Sequence, residues 1–580
     1  MKKTKNMKRF LVGCLGGFIG MFLFLILFVL FISYFVGKLM KEDKTVLTSK
    51  GNVLHIVFDN EITEKSSYFD VLSIKNLKIK RKLGLFEIIK NIKKAEKDTN
   101  IKAIFLEFKI FNAGYATLEE IRKALKEFKI NSKKPIVSYA EFYTQKAYYL
   151  ASVSDVIYLN PVGLVEFKGL SAEFLFYKKL LESIGIETFV FRHGKYKSAA
   201  EQFTNDSLSP ENEMQIKELL NSIWNEIISN ISYDRNINEI KLQNIADSLY
   251  TFNSMYAKNF YLVDSLKYFS QVINDIKIIA NVKDVNLIDI TDYERVAIKE
   301  KISKDKIALI ILDEALISGT NEKGLGEASN FINVIREIEK DKDVKAVVLR
   351  VNSPGGSAIA AESMLYEIKR LKEKIPVIVS FGDVAASGGY YISCYADYIF
   401  ANKNTITGSI GVIGMLFNVN KFFKEKLYIT RDVVKTNKFS DFSTGFRNTS
   451  DYEKKVFEEA LNKIYQIFLY HVSVGRKLQV SYVDSIGQGR IWSGINAIEK
   501  GLVDEIGGLY DAIEFAKQKA NIEQTPKIKI YPKEDLLFQF FFSLEESNVY
   551  FMPKRLKTLL NLFSKKENYI WALSPIIEVN

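Results

Sequence analysis

The run 344–351 reads VKAVVLRV, and 101–108 reads IKAIFLEF, at an offset of 243 residues. Asp397 in GYYISCYADYIFAN follows Asp155 in AYYLASVSDVIYLN at 242, Asn402 follows Asn160 at 242, and Val503-Asp504 echoes Val263-Asp264 at 240. One offset held to within a few residues over so long a stretch marks a duplication. A period of this length means two domain-sized units rather than a solenoid of short repeats.

Each copy alternates strand-like and helix-like segments. In the second copy IALIILD (307–313) reads as a strand and FINVIREIEKD (331–341) as an amphipathic helix, and AVVLRV (346–351) and PVIVSF (376–381) are apolar runs of strand length. Such alternation predicts an α/β fold built from βαβ units around a buried parallel sheet. The copies are placed at 50–270 and 305–525, with a linker at 45–52, a connecting stretch at 271–304 and a tail at 526–580. Helical stretches such as 450–475 are expected to join or cap the units.

The copies have lost complementary pieces of one chemistry. The second carries Ala385-Ala386-Ser387-Gly388-Gly389-Tyr390 where the first has Gln145 opposite Ser387. The first carries Gly194-Lys195-Tyr196-Lys197-Ser198, and the second has Ser440 opposite Lys197. Ser387 and Lys197 are therefore expected to act together across the two halves. A two-residue slip of the alignment would put Lys438 in the role instead.

A serine hydroxyl needs a base beside it. The chain has three histidines, His55, His193 and His471, none of them in a nucleophile motif, which argues against a Ser-His-Asp triad. Lysine can replace histidine, but its reference pKa of about 10.4 must fall, and burial lowers it by disfavouring the cation. The pair therefore calls for a mostly dry pocket. Acyl transfer also needs donors for the oxyanion. The run Asn352-Ser353-Pro354-Gly355-Gly356-Ser357 lies between a strand-like and a helix-like segment, where glycines can present backbone N–H groups at a helix N-terminus. The first copy has FNAGYAT there and is expected to have lost this function.

SPGGS, AASGGYY and TGSIG (407–411), with the KYKSA lysine upstream, resemble the long, duplicated form of the signal peptide peptidase A (protease IV) family, the serine-lysine peptidases of family S49. The resemblance spans roughly 50–525. It implies two tandem crotonase-like or Clp-like repeats, Ser387 as nucleophile, Lys197 as general base, oxyanion donors at Gly355 and Gly356, and Ser409 orienting the lysine. It further implies cleaved signal peptides and other apolar peptides as substrates. The implied setting is a bacterial inner membrane, with the N-terminus in the cytoplasm and the catalytic body outside it. A crotonase-like acyl-CoA enzyme and a non-catalytic membrane scaffold are the alternatives.

The N-terminus fits that setting. Residues 10–37 form an uncharged, mostly apolar run, longer than the roughly 20 residues that cross a bilayer. Lys2, Lys3, Lys5, Lys8 and Arg9 precede it, so residues 1–9 are expected in the cytoplasm. The absence of an A-x-A-like site favours an uncleaved single transmembrane helix over a signal peptide. The net charge of +12 is spread without a basic stripe or nucleic-acid motif, so nucleic acid is not an expected partner and an anionic membrane surface is. Cys14 lies in the apolar run, and Cys394 is read in a buried strand. No Cys-x-x-Cys or histidine cluster points to a metal, and no cofactor is expected. The tail contains LLFQFFFSL (536–544) and then RLKTLLNLF (555–563), whose basic residues interleave with an apolar face and which reads as a helix lying on the membrane or packing on the second domain. The resemblance also implies a closed ring, as relatives of this fold form them, and closed point-group symmetry is the common outcome for self-complementary subunits, so a homo-oligomeric, tetramer-like ring is expected.

Overall fold

The computed structural model describes residues 52–66, 82–296, 301–319, 324–532 and 570–573, with a few helical positions between 17 and 30. The expected anchor at 10–37 lies mostly outside these residues, and the segments 536–544 and 555–563 lie wholly outside. Among the described residues no helix is long and apolar enough to cross a membrane.

The first copy builds a six-stranded parallel sheet. Its strands are β1 (Asn52–Phe58), β2 (Ile101–Phe108), β3 (Ile136–Ala140) and β4 (Val156–Leu159), followed, after the separate β5 (Glu187–His193), by β6 (Ser265–Leu266) and β7 (Asn286–Asp289). The order is β6-β4-β3-β2-β1-β7. Runs such as IKAIFLEF are buried on both faces, as a parallel sheet between helices requires. Of the stretch 271–304, expected as a connection, the residues up to Asp289 complete this unit, and those from Ile302 open the second copy. Val272 and Ile276 of the helix Phe269–Ile279 are fully buried against the sheet, and β7 extends it beside β1.

The second copy repeats the plan with β8 (Ile302–Leu312), β9 (Val344–Ser353), the short β10 (Gly355–Ser357), β11 (Val377–Ala386), β12 (Tyr398–Ala401), β13 (Ile406–Gly408), β14 (Val412–Asn418), β15 (Ile491–Ser493), β16 (Glu505–Ile506) and β17 (Thr525–Tyr531). Its main sheet runs β15-β13-β11-β9-β8-β17, with β12 and β16 branching from β11. Cys394 is not in a strand. It caps the helix Gly388–Ser393 and is fully buried, because the apolar run turns helical immediately after Ser387.

The offset seen in the sequence reappears as matched hydrogen bonds. The carboxylate of Asp155 accepts from the Ile136 amide, as that of Asp397 does from Val377. Asp264 accepts from Ile157 as Asp504 does from Ile399, and the Tyr148 hydroxyl donates to Leu262 as that of Tyr390 donates to Leu502. The repeated motifs are thus strand-end staples of a common frame.

The copies are docked by buried polar contacts. Arg350 of β9 lies 2.8 Å from Glu64 and 2.7 Å from Glu120, both first-copy carboxylates, and all three side chains are buried. Asp383 of β11 accepts from the Thr117 amide and hydroxyl. It thereby fills the first-copy helix N-terminus that corresponds to the glycine turn of the second copy.

A third, four-stranded sheet runs β10-β18-β14-β5, where β18 is Ile570–Leu573. It takes β5 from the first copy, β10 and β14 from the second, and β18 from the tail. β5 and β14 are antiparallel, with His193 opposite Val412 and Glu187 opposite Asn418. This pairing carries the chain beyond β5 alongside the segment that precedes β14.

Candidate active site

Ser387 stands between the end of β11 and the helix Gly388–Ser393, with φ 55° and ψ −114°. Positive φ is costly for a residue with a Cβ, and such strain clusters at functional positions. The turn is held on both sides: the Ser387 amide donates to the Gly408 carbonyl at 2.8 Å, and the Ser387 carbonyl accepts from the Tyr391 amide at 2.8 Å. The glycines that follow are needed for close approach. A Cβ on Gly389 would lie 2.7 Å from the Ser353 carbonyl oxygen, and one on Gly388 would lie 3.1 Å from the Gly355 Cα and 3.2 Å from the Gly356 nitrogen. The glycine turn therefore packs directly against the serine's own turn. Gly355 and Gly356 adopt φ values of 96° and 153°, and Ser357 caps the next helix by accepting from the Ala360 amide.

Lys197 reaches this turn from the other copy. Its Nζ lies 2.6 Å from Ser387 Oγ, 3.0 Å from the Ser409 carbonyl oxygen and 3.1 Å from Ser409 Oγ. Lys197, Ser387 and Ser409 are each 0% exposed. Among the described residues Lys197 forms no ion pair. Burial alone drives its pKa well below the ordinary value, since the cation would lose its water without a compensating anion.

Two groups that sequence reasoning missed hold the lysine turn. Gly489, at φ 77°, passes so close that a Cβ there would lie 2.6 Å from both the backbone nitrogen and the Cβ of Lys197. The Tyr196 amide donates to the Gln488 carbonyl beside it. From the helix Pro210–Arg235, buried Gln215 donates to the Tyr196 carbonyl and to Ser198 Oγ, and accepts from the Ile491 amide. Neither residue lies in a recognisable motif.

Lys438 is not part of this arrangement. It lies in an exposed segment with its amine over the Phe439 ring. In the first copy, Gln145 occupies the position of Ser387 with its amide group satisfied: it donates to the Tyr115 hydroxyl and the Gly169 carbonyl and accepts from the Lys168 and Gly169 amides. The structure thus brings together Ser387, Lys197, Ser409 and the Gly355-Gly356 turn.

A buried serine on a strained turn, beside a lysine whose surroundings favour the neutral amine, is the equipment of a serine hydrolase. The model of Peptidase family S49 matches residues 129–283 and 369–523. The chain is 35% identical to Protease 4 of Haemophilus influenzae, covering 84% of this chain and 82% of that one. It is 34% identical to Protease 4 of Salmonella typhi over 76% and 73% of the two chains. It is 31% identical to the chloroplastic serine protease SPPA of Arabidopsis thaliana over 83% and 71%. Among solved structures, a ClpP1 mutant from Listeria monocytogenes matches 35% of this chain and 94% of its own at 14% identity with a TM-score of 0.25, a likeness too slight to bear on the fold. The chain belongs to peptidase family S49, with the family's domain present twice, and is a serine protease.

Proposed function

We propose that Ser387 is the nucleophile and Lys197 the general base of a membrane-anchored endopeptidase that degrades cleaved signal peptides and other apolar, extended peptides. The observation that carries the reading is the 2.6 Å contact between Lys197 Nζ and Ser387 Oγ, both of them fully buried side chains. A neutral amine has two N–H bonds and one lone pair. The Ser409 carbonyl can only accept, and Ser409 Oγ lies at similar range, so these two groups suit the two N–H donors. The lone pair then faces the Ser387 hydroxyl.

In this mechanism Lys197 takes the hydroxyl proton as Oγ attacks the scissile carbonyl carbon. The Gly355-Gly356 turn stabilises the oxyanion through the Gly356 N–H, the Gly355 N–H being donated to Ser353 Oγ at 3.2 Å. The ammonium, held by Ser409, returns its proton to the leaving amine, and the acyl-enzyme is released by a water that the neutral lysine activates in turn.

The substrate class follows from access. Both reacting groups are fully buried, so a folded surface cannot reach them, and a single extended strand is the thinnest substrate that could enter. The anchor rests on the apolar run 10–37 behind five basic residues. It sets the body outside the cytoplasm, where signal peptides leave the bilayer, and a closed ring of subunits around the sites would keep folded proteins out. The test is hydrolysis of a synthetic signal peptide and of a compact globular protein by the full chain. Cleavage of the peptide alone is expected, and rapid digestion of the folded protein refutes the substrate assignment.

A further inference from the structure

We propose that the helix Asp451–Arg476 is a brace that sets the Ser387–Lys197 geometry, with Tyr465 as its positioning residue on the lysine side and His471 on the serine side. The inference rests on the peptidase reading above and adds two residues to its machinery.

The helix first meets the lysine arm. Phe457 packs edge-on against Phe191 of β5, with ring centroids 5.0 Å apart. Asn462 Oδ1 lies 2.6 Å from Nδ1 of His193, the last residue of β5, and the Tyr465 ring lies 4.1 Å from the His193 ring. Tyr465 is fully buried. Its hydroxyl donates to Asp484 at 2.5 Å and accepts from the Gln488 amide at 3.3 Å. The Gln488 carbonyl in turn holds the Tyr196 amide, and Gly489 beside it presses on the Lys197 backbone. One hydroxyl thus fixes the loop against which the lysine turn is placed.

Within two further turns the same helix reaches the serine. Phe468 packs against Tyr391 at 4.7 Å, and the Tyr391 amide is the donor to the Ser387 carbonyl. The Tyr391 hydroxyl donates to Glu362, and His471 Nε2 lies 3.2 Å from the same carboxylate oxygen. His471 Nδ1 lies 3.3 Å from the Tyr395 hydroxyl, so the ring is held at both nitrogens. Glu362 belongs to the helix Ala358–Lys372, which starts at the glycine turn, and Tyr391 to the helix Gly388–Ser393, which starts at the nucleophile. The His471 hydrogen bond leads in holding the Glu362 carboxyl below its ordinary pKa, which keeps it an acceptor for both partners. The chain His471–Glu362–Tyr391 therefore ties three helices where the oxyanion donor and the nucleophile must stay in register. Hydrogen bonds fix direction as well as distance, which packing alone does not.

The first copy is tied differently. Its corresponding helix, Pro210–Arg235, has the same length of 26 residues. It carries Asn230 in the place of His471, and Asn230 donates directly to the hydroxyl of Tyr149, the counterpart of Tyr391. Glu119, at the position of Glu362, turns instead to the Lys403 and Asn404 amides of the second copy. Among the described residues, only the copy that kept the serine links its nucleophile helix to its glycine-turn helix through a histidine and a carboxylate.

The test measures peptide hydrolysis by the full chain and by Tyr465→Phe, His471→Leu, His471→Gln and the double variant Tyr465→Phe/His471→Leu. Gln466→Ala, on the exposed side of the same helix, is the control. A drift of about half an ångström in the reacting pair lowers kcat by about tenfold. Tyr465→Phe and His471→Leu are each expected to show that loss with KM within about twofold of the parent. The double variant should lose well under the product of the two, because both ends hold one geometry. His471→Gln, which keeps a donor to Glu362, should stay within about threefold. In Tyr465→Phe the rising limb of the pH–rate profile should move to higher pH, since a loosened loop admits water to Lys197, whose low pKa comes from burial. Tyr465→Phe, which keeps the ring, carries the test if His471→Leu does not fold. An unchanged kcat in Tyr465→Phe or in a folded His471→Leu overturns the proposal. So does a fully multiplicative double variant, or a His471→Gln chain as slow as His471→Leu. A parent chain that hydrolyses no peptide and takes no fluorophosphonate on Ser387 refutes the peptidase reading instead. Amide hydrogen exchange at 194–198 and 388–393 then decides the brace separately, faster in both single variants if it holds and unchanged if it does not.

Discussion

Gly489→Ala tests how tightly the lysine must be placed. The added Cβ would lie 2.6 Å from the backbone nitrogen of Lys197, where ordinary contact begins at 3.4 Å, so one of the two segments must retreat by about 0.8 Å. Both sides of the clash are backbone, and no rotamer change relieves it. Alanine at φ 77° adds left-handed strain. Strain and overpacking together predict a loss of about 2–4 kcal/mol in unfolding stability. The displacement acts on Nζ, whose contact with Ser387 is 2.6 Å, and a shift approaching 1 Å in a catalytic group lowers kcat by about 100-fold. Gly501→Ala is the matched control. Its φ is 73°, and its Cβ would meet only the Leu478 side chain at 3.4 Å or more. It shares the strain without touching the lysine and is expected to destabilise by about 1 kcal/mol with kcat intact. The assay is peptide hydrolysis beside urea unfolding for both variants. A Gly489→Ala chain whose kcat stays within about twofold of the parent refutes the claim that this glycine positions the base.

Three further outcomes are expected. The Lys197 pKa lies well below 10.5 in the folded chain and near it when unfolded, so the unfolded chain binds more protons and stability rises with pH across that window by up to about 1.4 kcal/mol per unit. Lys197→Met removes this term. Its stability advantage should be largest at low pH and shrink as pH approaches 10.5, as paired urea titrations would read, and a pH-independent difference contradicts a neutral buried lysine. Arg350→Met leaves Glu64 and Glu120 buried without their cation, which predicts a loss of about 3–5 kcal/mol in urea unfolding, and a change below about 1 kcal/mol rules out this cluster as the docking contact of the copies. The pair closes within a single chain, so mixing Ser387→Ala with Lys197→Ala chains should recover no activity, and recovery would mean that the sites are shared between chains.

The sequence made the repeat and the Ser387–Lys197 contact legible through the same signal. A constant offset exposes whatever one copy keeps and the other loses, and so Ser387 and Lys197 stood out against Gln145 and Ser440. It also separated Lys197 from Lys438 only to within a two-residue slip. The geometry removes that slip, because β5 pairs with β14 and delivers the turn at 194–198 to Ser409. β5 has no partner strand at its own offset, where the second copy carries the exposed segment around Tyr428 and Val434. Gly489 and Gln215 were illegible for a related reason: each acts through one close approach between segments far apart in the chain, which leaves no period or motif. The strand Ile570–Leu573 is too short to show alternation, and its partners β10 and β14 lie far from it in the chain. Cys394 was misread because helix and strand cannot be told apart from so short an apolar run.

The central claim is that Lys197 activates Ser387. The most direct measurement is labelling of the full-length chain by a serine-reactive fluorophosphonate, with the modified residue located by peptide mass. The account predicts labelling at Ser387, loss of that labelling in Lys197→Met, and retention in Lys438→Ala. Labelling of Ser387 that persists at the parent rate in Lys197→Met, or that falls on another serine, contradicts it.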